Sequence, residues 1–303
     1  MPLVHANGID LCWEAQGAGD PIVLIMGIDA QLVHWPQGFC DLLAARGLRV
    51  IRFDNRDTGL SGRLDHLGTP SLARTAAQVL LGRPPQVPYT LDDMATDTLA
   101  LIDALGLDRV HLVGQSMGGM IAQCAALAHP ERFWSLTSIS STPAWHGVLW
   151  ARPRVVRTNL KARPPGLEAG IAYSNRTQRA MGGPAHPMPE DVLHAITSAS
   201  NARGHSPTGT LRQAAAILAS GDRTRRLASL AVPTLVLHGD ADPVIHLRGG
   251  RATAAAIPGA RLQIVPGWGH DLPPTVWPIL VEAIAGHAHA ARNQPRNATS
   301  ARS

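Results

Sequence analysis

The sequence predicts an α/β protein: a mostly parallel, doubly wound sheet with a helical cap inserted into it. Two observations carry that reading. Apolar runs of strand length recur at 22–26, 48–53, 110–113, 136–140, 233–238 and 261–265; runs of that kind suit strands covered on both faces. Helix-length segments separate them, and repeated β-α units give parallel sheets with right-handed crossovers. The alternation stops between residues 143 and 226 and then resumes. The chain therefore divides into a core of residues 1–142 and 227–286, a cap of residues 143–226 and a tail of residues 287–303.

Taken in order, residues 9–15 alternate loosely and read as an edge strand, closed by the turn Gly17-Ala18-Gly19-Asp20. The run 22–26 exits into Met26-Gly27-Ile28-Asp29-Ala30-Gln31, a loop at the carboxyl end of a central strand, where open α/β sheets bind ligands. Residues 39–46 read as a helix closed by Gly47, and 48–53 as a strand. Asp54-Asn55-Arg56-Asp57-Thr58-Gly59 is rich in side chains that bond their own backbone, so its carboxylates and arginine are read as pinning a loop. Residues 64–88 are irregular. Thr90, with Asp93 at the box position, caps a helix to Leu105 whose Met94, Leu101, Ile102 and Leu105 share a face. The run 110–113 enters Gly114-Gln115-Ser116-Met117-Gly118, and a helix follows over 120–129. The exit of strand 136–140, Ser141-Thr142-Pro143, carries no carboxylate. The cap holds helix-like pieces at 148–160, 190–199 and 210–219. Helices at 247–257 and 276–285 complete the core, and the polar stretch from residue 287 reads as disordered.

Composition narrows the function classes. No apolar run approaches 18 residues, so no membrane span is expected. The first residues lack a basic stretch followed by an apolar one, so no secretory leader is read. Cys12, Cys40 and Cys124 are odd in number and match no metal spacing. They suit a reduced, cytoplasmic protein, with Cys124 packing a core. Of 27 basic residues only Lys161 is a lysine, and the net charge is +5. Abundant Arg, Ala, Gly and Pro point to coding bias more than to a polyanion partner. Twelve basic and four acidic residues fall in 143–226; these arginines are read as solvated, with a preference for anionic or polyhydroxylated substrates as the alternative. No nucleic-acid reader motif is present, so no nucleic-acid partner is expected. A homodimer is left open. Without a metal-ligand cluster or a dinucleotide fingerprint, the expected chemistry needs no cofactor.

Gly-x-Ser-x-Gly alone arises often by chance; its context gives it weight. Strand, sharp turn, serine and helix put a hydroxyl above a sheet, beside amides at a helix N-terminus. Two later loops, each after a strand, supply partners. His238-Gly239-Asp240-Ala241-Asp242-Pro243 offers two aspartates, of which Asp242 is favoured because it lies deeper in the loop and leads into proline. Pro266-Gly267-Trp268-Gly269-His270 offers His270 and completes the chain order Ser, Asp, His. A neutral imidazole can take the serine proton during attack, and a carboxylate can hold the ring in the right tautomer. Backbone amides of Met117 and Ile28 are the candidate oxyanion donors. Trp35, Trp145, Trp150 and Trp268 flank these loops or the cap and are candidate walls of an apolar substrate pocket, with packing in the core or on the surface as the equal alternative.

Together, the stretches around Ser116, residues 53–61, residues 238–243 and residues 266–270 resemble the α/β-hydrolase family over about residues 3–285. Residues 26–36 and 51–59 are similar to the aclacinomycin methylesterase branch. The resemblance implies a catalytic triad of Ser116, Asp242 and His270, with Ile28 and Met117 as the oxyanion hole. Most of the family has His-Gly where this chain has Met26-Gly27; a backbone donor survives that change. Serine at position 116 disfavours the dehalogenases and epoxide hydrolases, whose nucleophile is aspartate. The implied activity is hydrolysis of a small-molecule carboxylic ester, a methyl or small-alcohol ester of a bulky acid. C–C hydrolysis, perhydrolysis, acyl transfer and a ligand receptor on the same fold are the alternatives.

Overall fold

Strands form where the apolar runs stand. The computed structural model describes residues 1–159 and 163–293. Its strands are β1 (Leu3–Ala6), β2 (Ile9–Gln16), β3 (Asp20–Ile25), β4 (Leu48–Phe53), β5 (Val110–Gln115), β6 (Phe133–Ile139), β7 (Thr234–Gly239) and β8 (Arg261–Val265). They make one sheet in the order β1-β2-β4-β3-β5-β6-β7-β8. β1 and β2 pair antiparallel, as do β2 and β4; every later pairing is parallel.

The continuous apolar runs have a direct cause. Val23 and Ile25 of β3 point into one core and Ile22 and Leu24 into the other, because successive side chains leave opposite faces. Helices α3 (Leu91–Ala104) and α4 (Met117–Ala128) cover the first face. Helices α1 (Gln37–Ala44) and α11 (Trp277–Arg292) cover the second. The free thiols Cys12, Cys40 and Cys124 are buried. Helix α2 (Leu72–Leu80) interrupts the stretch read as irregular, with Ser71 Oγ accepting from Arg74 N. Helix α10 (Leu247–Ala256) joins β7 to β8. No helix among the described residues is long and apolar enough to cross a membrane.

Between β6 and β7 the chain leaves the sheet and forms α5 (Pro153–Asn159), α6 (Leu167–Met181), α7 (Glu190–Ala202), α8 (Pro207–Ala219) and α9 (Thr224–Leu227). Leu160, the predicted end of the first piece, lies outside the described residues. The arginines expected in solvent are not all there. Arg212 is fully buried and grips Asp57 through Nε–Oδ2 at 2.8 Å and Nη2–Oδ1 at 2.7 Å. Arg203 pairs with buried Asp54. The insertion is thus fastened to the 54–61 loop by ion pairs made in the interior.

The predicted tail needs correction. Helix α11 continues to Arg292, past residue 286. Alanines and buried His287, Ala288 and Ala291 extend it, and His287 Nε2 lies 3.1 Å from the Pro233 carbonyl. Residues 294–303 lie outside the described part of the chain.

Candidate active site

Ser116 caps α4 with φ 57° and ψ −121°, a conformation that side chains rarely adopt. The strain, on the order of 1–3 kcal/mol, is tolerated because the surroundings leave no other path. Glycines make the turn possible: a Cβ on Gly114 would stand 2.1 Å from the Gly118 carbonyl oxygen, and one on Gly118 2.1 Å from that of Ile25. Ser141 Oγ donates to the Ser116 carbonyl at 2.8 Å, and Ser116 N donates to Ile139 O at 2.9 Å. Met117 is the first residue of α4, so its N–H is left over by the helix ladder. The 26–28 loop packs directly on the serine: a Cβ on Gly27 would lie 3.1 Å from Ser116 Cβ and 3.5 Å from Oγ. Asn55 Nδ2 fastens that loop by donating to Met26 O at 2.9 Å.

The two later loops meet beside it. Asp242 Oδ1 accepts from the Val244 and Ile245 amides at 2.8 and 2.9 Å. Its Oδ2 is 2.7 Å from His270 Nδ1. That bond leaves Nε2 as the nitrogen directed away from the carboxylate. Asp240 turns elsewhere and accepts from Gly267 N at 2.6 Å. Gln115 Nε2 donates to the His270 carbonyl at 2.9 Å and so ties the serine turn to the histidine loop. Ser116, His270 and Ile28 line one cavity of about 500 Å³ with residues of α6, α7 and α8.

A model of the alpha/beta hydrolase fold matches residues 20–274. The chain belongs to the α/β-hydrolase family. Rhodomycin D methylesterase of Streptomyces sp. strain C5 is 29% identical over 316 residues, covering 96% of this chain and 99% of the relative. A non-heme haloperoxidase of Rhodococcus erythropolis is 25% identical over 291 residues, covering 90% and 93%. The crystal structure of the enol-lactonase from Burkholderia xenovorans LB400 superposes with a TM-score of 0.69 at 20% identity, covering 95% and 100%; that likeness is one of fold.

Of the two roles that the sequence leaves open to the tryptophans of this α/β hydrolase, pocket wall or packing, Trp35 and Trp268 take packing. Trp35 is fully buried and stacks on Phe39 at 5.7 Å in the core between sheet and α1. Trp268 is equally buried there, its Nε1 donating to Asp271 O at 2.7 Å. Neither lines the cavity, because each side chain turns under its loop to fill the core instead. Trp145 is half-buried beside His146 and also does not line it. The side chain of Trp150 lies outside the described residues. Met181, Met188, Leu193, Ile196 and Leu211 supply the apolar wall instead.

Sequence reasoning missed three buried groups here. Gln213 of α8 accepts from Asp29 N at 2.9 Å and donates to Arg56 O and Thr58 Oγ1, so the insertion helps shape the 26–31 loop. His238, one strand residue before the turn, bonds to the Ile245 carbonyl at 2.8 Å and lies 3.6 Å from Asp242. Burial lowers its pKa, against the pull of the Asp242 carboxylate, and so favours the neutral ring. Asp271 has both carboxyl oxygens enclosed without a hydrogen-bond partner. Burial pushes its pKa up to about 6.

That shift has a sign in stability. An unfolded Asp ionises near pH 4, so between there and about pH 6 the folded chain holds a proton the unfolded chain has lost. Stability contributed by this group falls as pH rises through that window. Asp271→Asn is therefore expected to raise the melting temperature at pH 7.5 by removing a penalty of up to about 3 kcal/mol, and to give no gain at pH 4. Equal melting shifts at the two pH values would refute the assignment.

Proposed function

We propose that this α/β hydrolase cleaves carboxylic esters without a cofactor, through an acyl-enzyme on Ser116. The observation that carries the reading is the Asp242–His270 pair at 2.7 Å in the loop bordering the strained Ser116 turn, with Ser116 and His270 on one cavity. Asp242 holds the imidazole with Nδ1 protonated, so Nε2 accepts the Ser116 proton as Oγ attacks the ester carbonyl. Negative charge gathers on the former carbonyl oxygen, where the Met117 and Ile28 amides donate. The imidazolium then protonates the departing alkoxide. Water repeats the sequence against the acyl-enzyme and releases the acid.

The helical insertion, residues 143–226, serves as a cap that closes the cavity over the acyl group. Its Met and Leu wall and the methylesterase relative favour a methyl or small-alcohol ester of a bulky acid. The haloperoxidase relative supports a second reading, perhydrolysis, in which peroxide replaces water at the same acyl-enzyme.

The test is turnover of a graded panel of p-nitrophenyl and methyl esters, with and without hydrogen peroxide, by wild type and Ser116→Ala. Ester hydrolysis without peroxide that disappears in the variant supports the first reading. Turnover only with peroxide favours the second, and a fully active variant removes both.

A further inference from the structure

The cavity wall is mostly apolar but includes a cation. Arg163 lines it beside Tyr173 and Ser174 of α6. Its Nη2 donates to Asn201 Oδ1 of α7 and to Ser174 Oγ at 3.3 Å, and the guanidinium lies over the Tyr173 ring at 5.7 Å. Gly170 makes room for it, since a Cβ there would stand 3.3 Å from Nη2. These contacts fix the group without neutralising it.

Four other interior arginines are neutralised. Arg52, Arg56, Arg203 and Arg212 meet Glu14, Asp97, Asp54 and Asp57. Arg223 meets no carboxylate among the described residues, but it is sealed in the core on Gln123 and the Thr142 carbonyl. Arg163 also meets none among the described residues, and it faces a cavity. Burial lowers its pKa, as expected for a cation without a matched anion. Of the cavity's own carboxylates, Asp29 acts on Arg163 through space and raises its pKa, but by less than burial lowers it and without an ion pair; it lies 3.6 Å from His205, and Asp271 is enclosed beside His270.

Helix α6 measures the separation. Met181 O accepts from His270 N at 2.8 Å, at the catalytic end. Ser174, at the Arg163 end, lies two helical turns earlier, about 10 Å at the α-helical rise. We infer that Arg163 forms a distal anion subsite, so that preferred substrates are esters carrying a carboxylate about 10 Å from the scissile carbonyl. The subsite rests on the ester-hydrolase reading for its substrate. A guanidinium suits a carboxylate because its planar N–H groups can pair with both oxygens.

Monomethyl suberate spans about that distance, and its primary amide is a neutral control of the same shape. The expected result is a kcat/KM about tenfold higher for the acid than for the amide, carried by KM. In Arg163→Gln the ratio should fall to about one, and Arg163→Lys should keep part of it. A ratio near one in wild type, or one unchanged in Arg163→Gln, overturns the subsite. Calorimetric binding of suberate reads the same site without chemistry and should weaken in Arg163→Gln. If no ester is hydrolysed but suberate binding still depends on Arg163, the subsite stands and the ester-hydrolase reading falls.

Discussion

Asp242→Asn is expected to lower kcat/KM for any ester substrate by about 10⁴-fold, whereas Asp240→Asn changes it only a few-fold. The two aspartates stand two residues apart, and the difference lies in what each side chain meets. Asp242 Oδ1 is claimed by the Val244 and Ile245 amides, which fixes Oδ2 against His270 Nδ1. An asparagine there keeps its oxygen on those amides and turns its NH₂ toward the ring. Nδ1 must then accept, Nε2 carries the proton, and the ring can no longer take one from Ser116. Asp240 only braces the Gly267 amide in an exposed turn. Steady-state kinetics of both variants decide the matter, with circular dichroism to confirm folding. A larger loss in Asp240→Asn would reassign the acid.

Arg212→Met is expected to destabilise the protein by about 3–5 kcal/mol, measured by urea unfolding. Asp57 keeps its charge through several donors. Burial alone would raise its pKa, but Arg212, the Leu64 amide and the Tyr89 hydroxyl outweigh that and hold it below the usual carboxylate range. Removing Arg212 strands a buried carboxylate and frees α8 from the 54–61 loop. The double variant Asp57→Asn with Arg212→Met should recover part of the loss, because neither charge is then left alone. Strictly additive losses would show that the pair is not coupled. The same ion pair links stability to the site, since neighbouring Gln213 braces the Asp29 amide.

The core strands were legible because both sheet faces are covered, which makes apolar runs continuous. The hairpin between β1 and β2 has an equally legible signal. Its turn, Asn7-Gly8, has both φ values positive, at 50° and 75°, the signature of a two-residue hairpin loop. Helix α6 was hidden for a physical reason. Only Gly170 is buried along it, and much of its inner face lines a cavity, so no apolar stripe marks it. The tryptophans show another limit. Trp35 and Trp268 do neighbour site loops in sequence, but a loop residue can turn up to substrate or down into the core, and local sequence does not say which. Ser116, Asp242 and His270 could be picked out because each follows a strand at the same end of a parallel sheet. Arg163, Gln213 and Asp271 could not, because their significance comes from neighbours far away in the chain.

The central claim is that Ser116 carries the acyl group. Its most direct measurement is the intact mass and peptide map of protein treated with an organophosphonate ester. One adduct per chain, located on Ser116 and absent from Ser116→Ala, is the predicted result. A wild-type protein that stays unmodified, or an adduct at another residue, contradicts it.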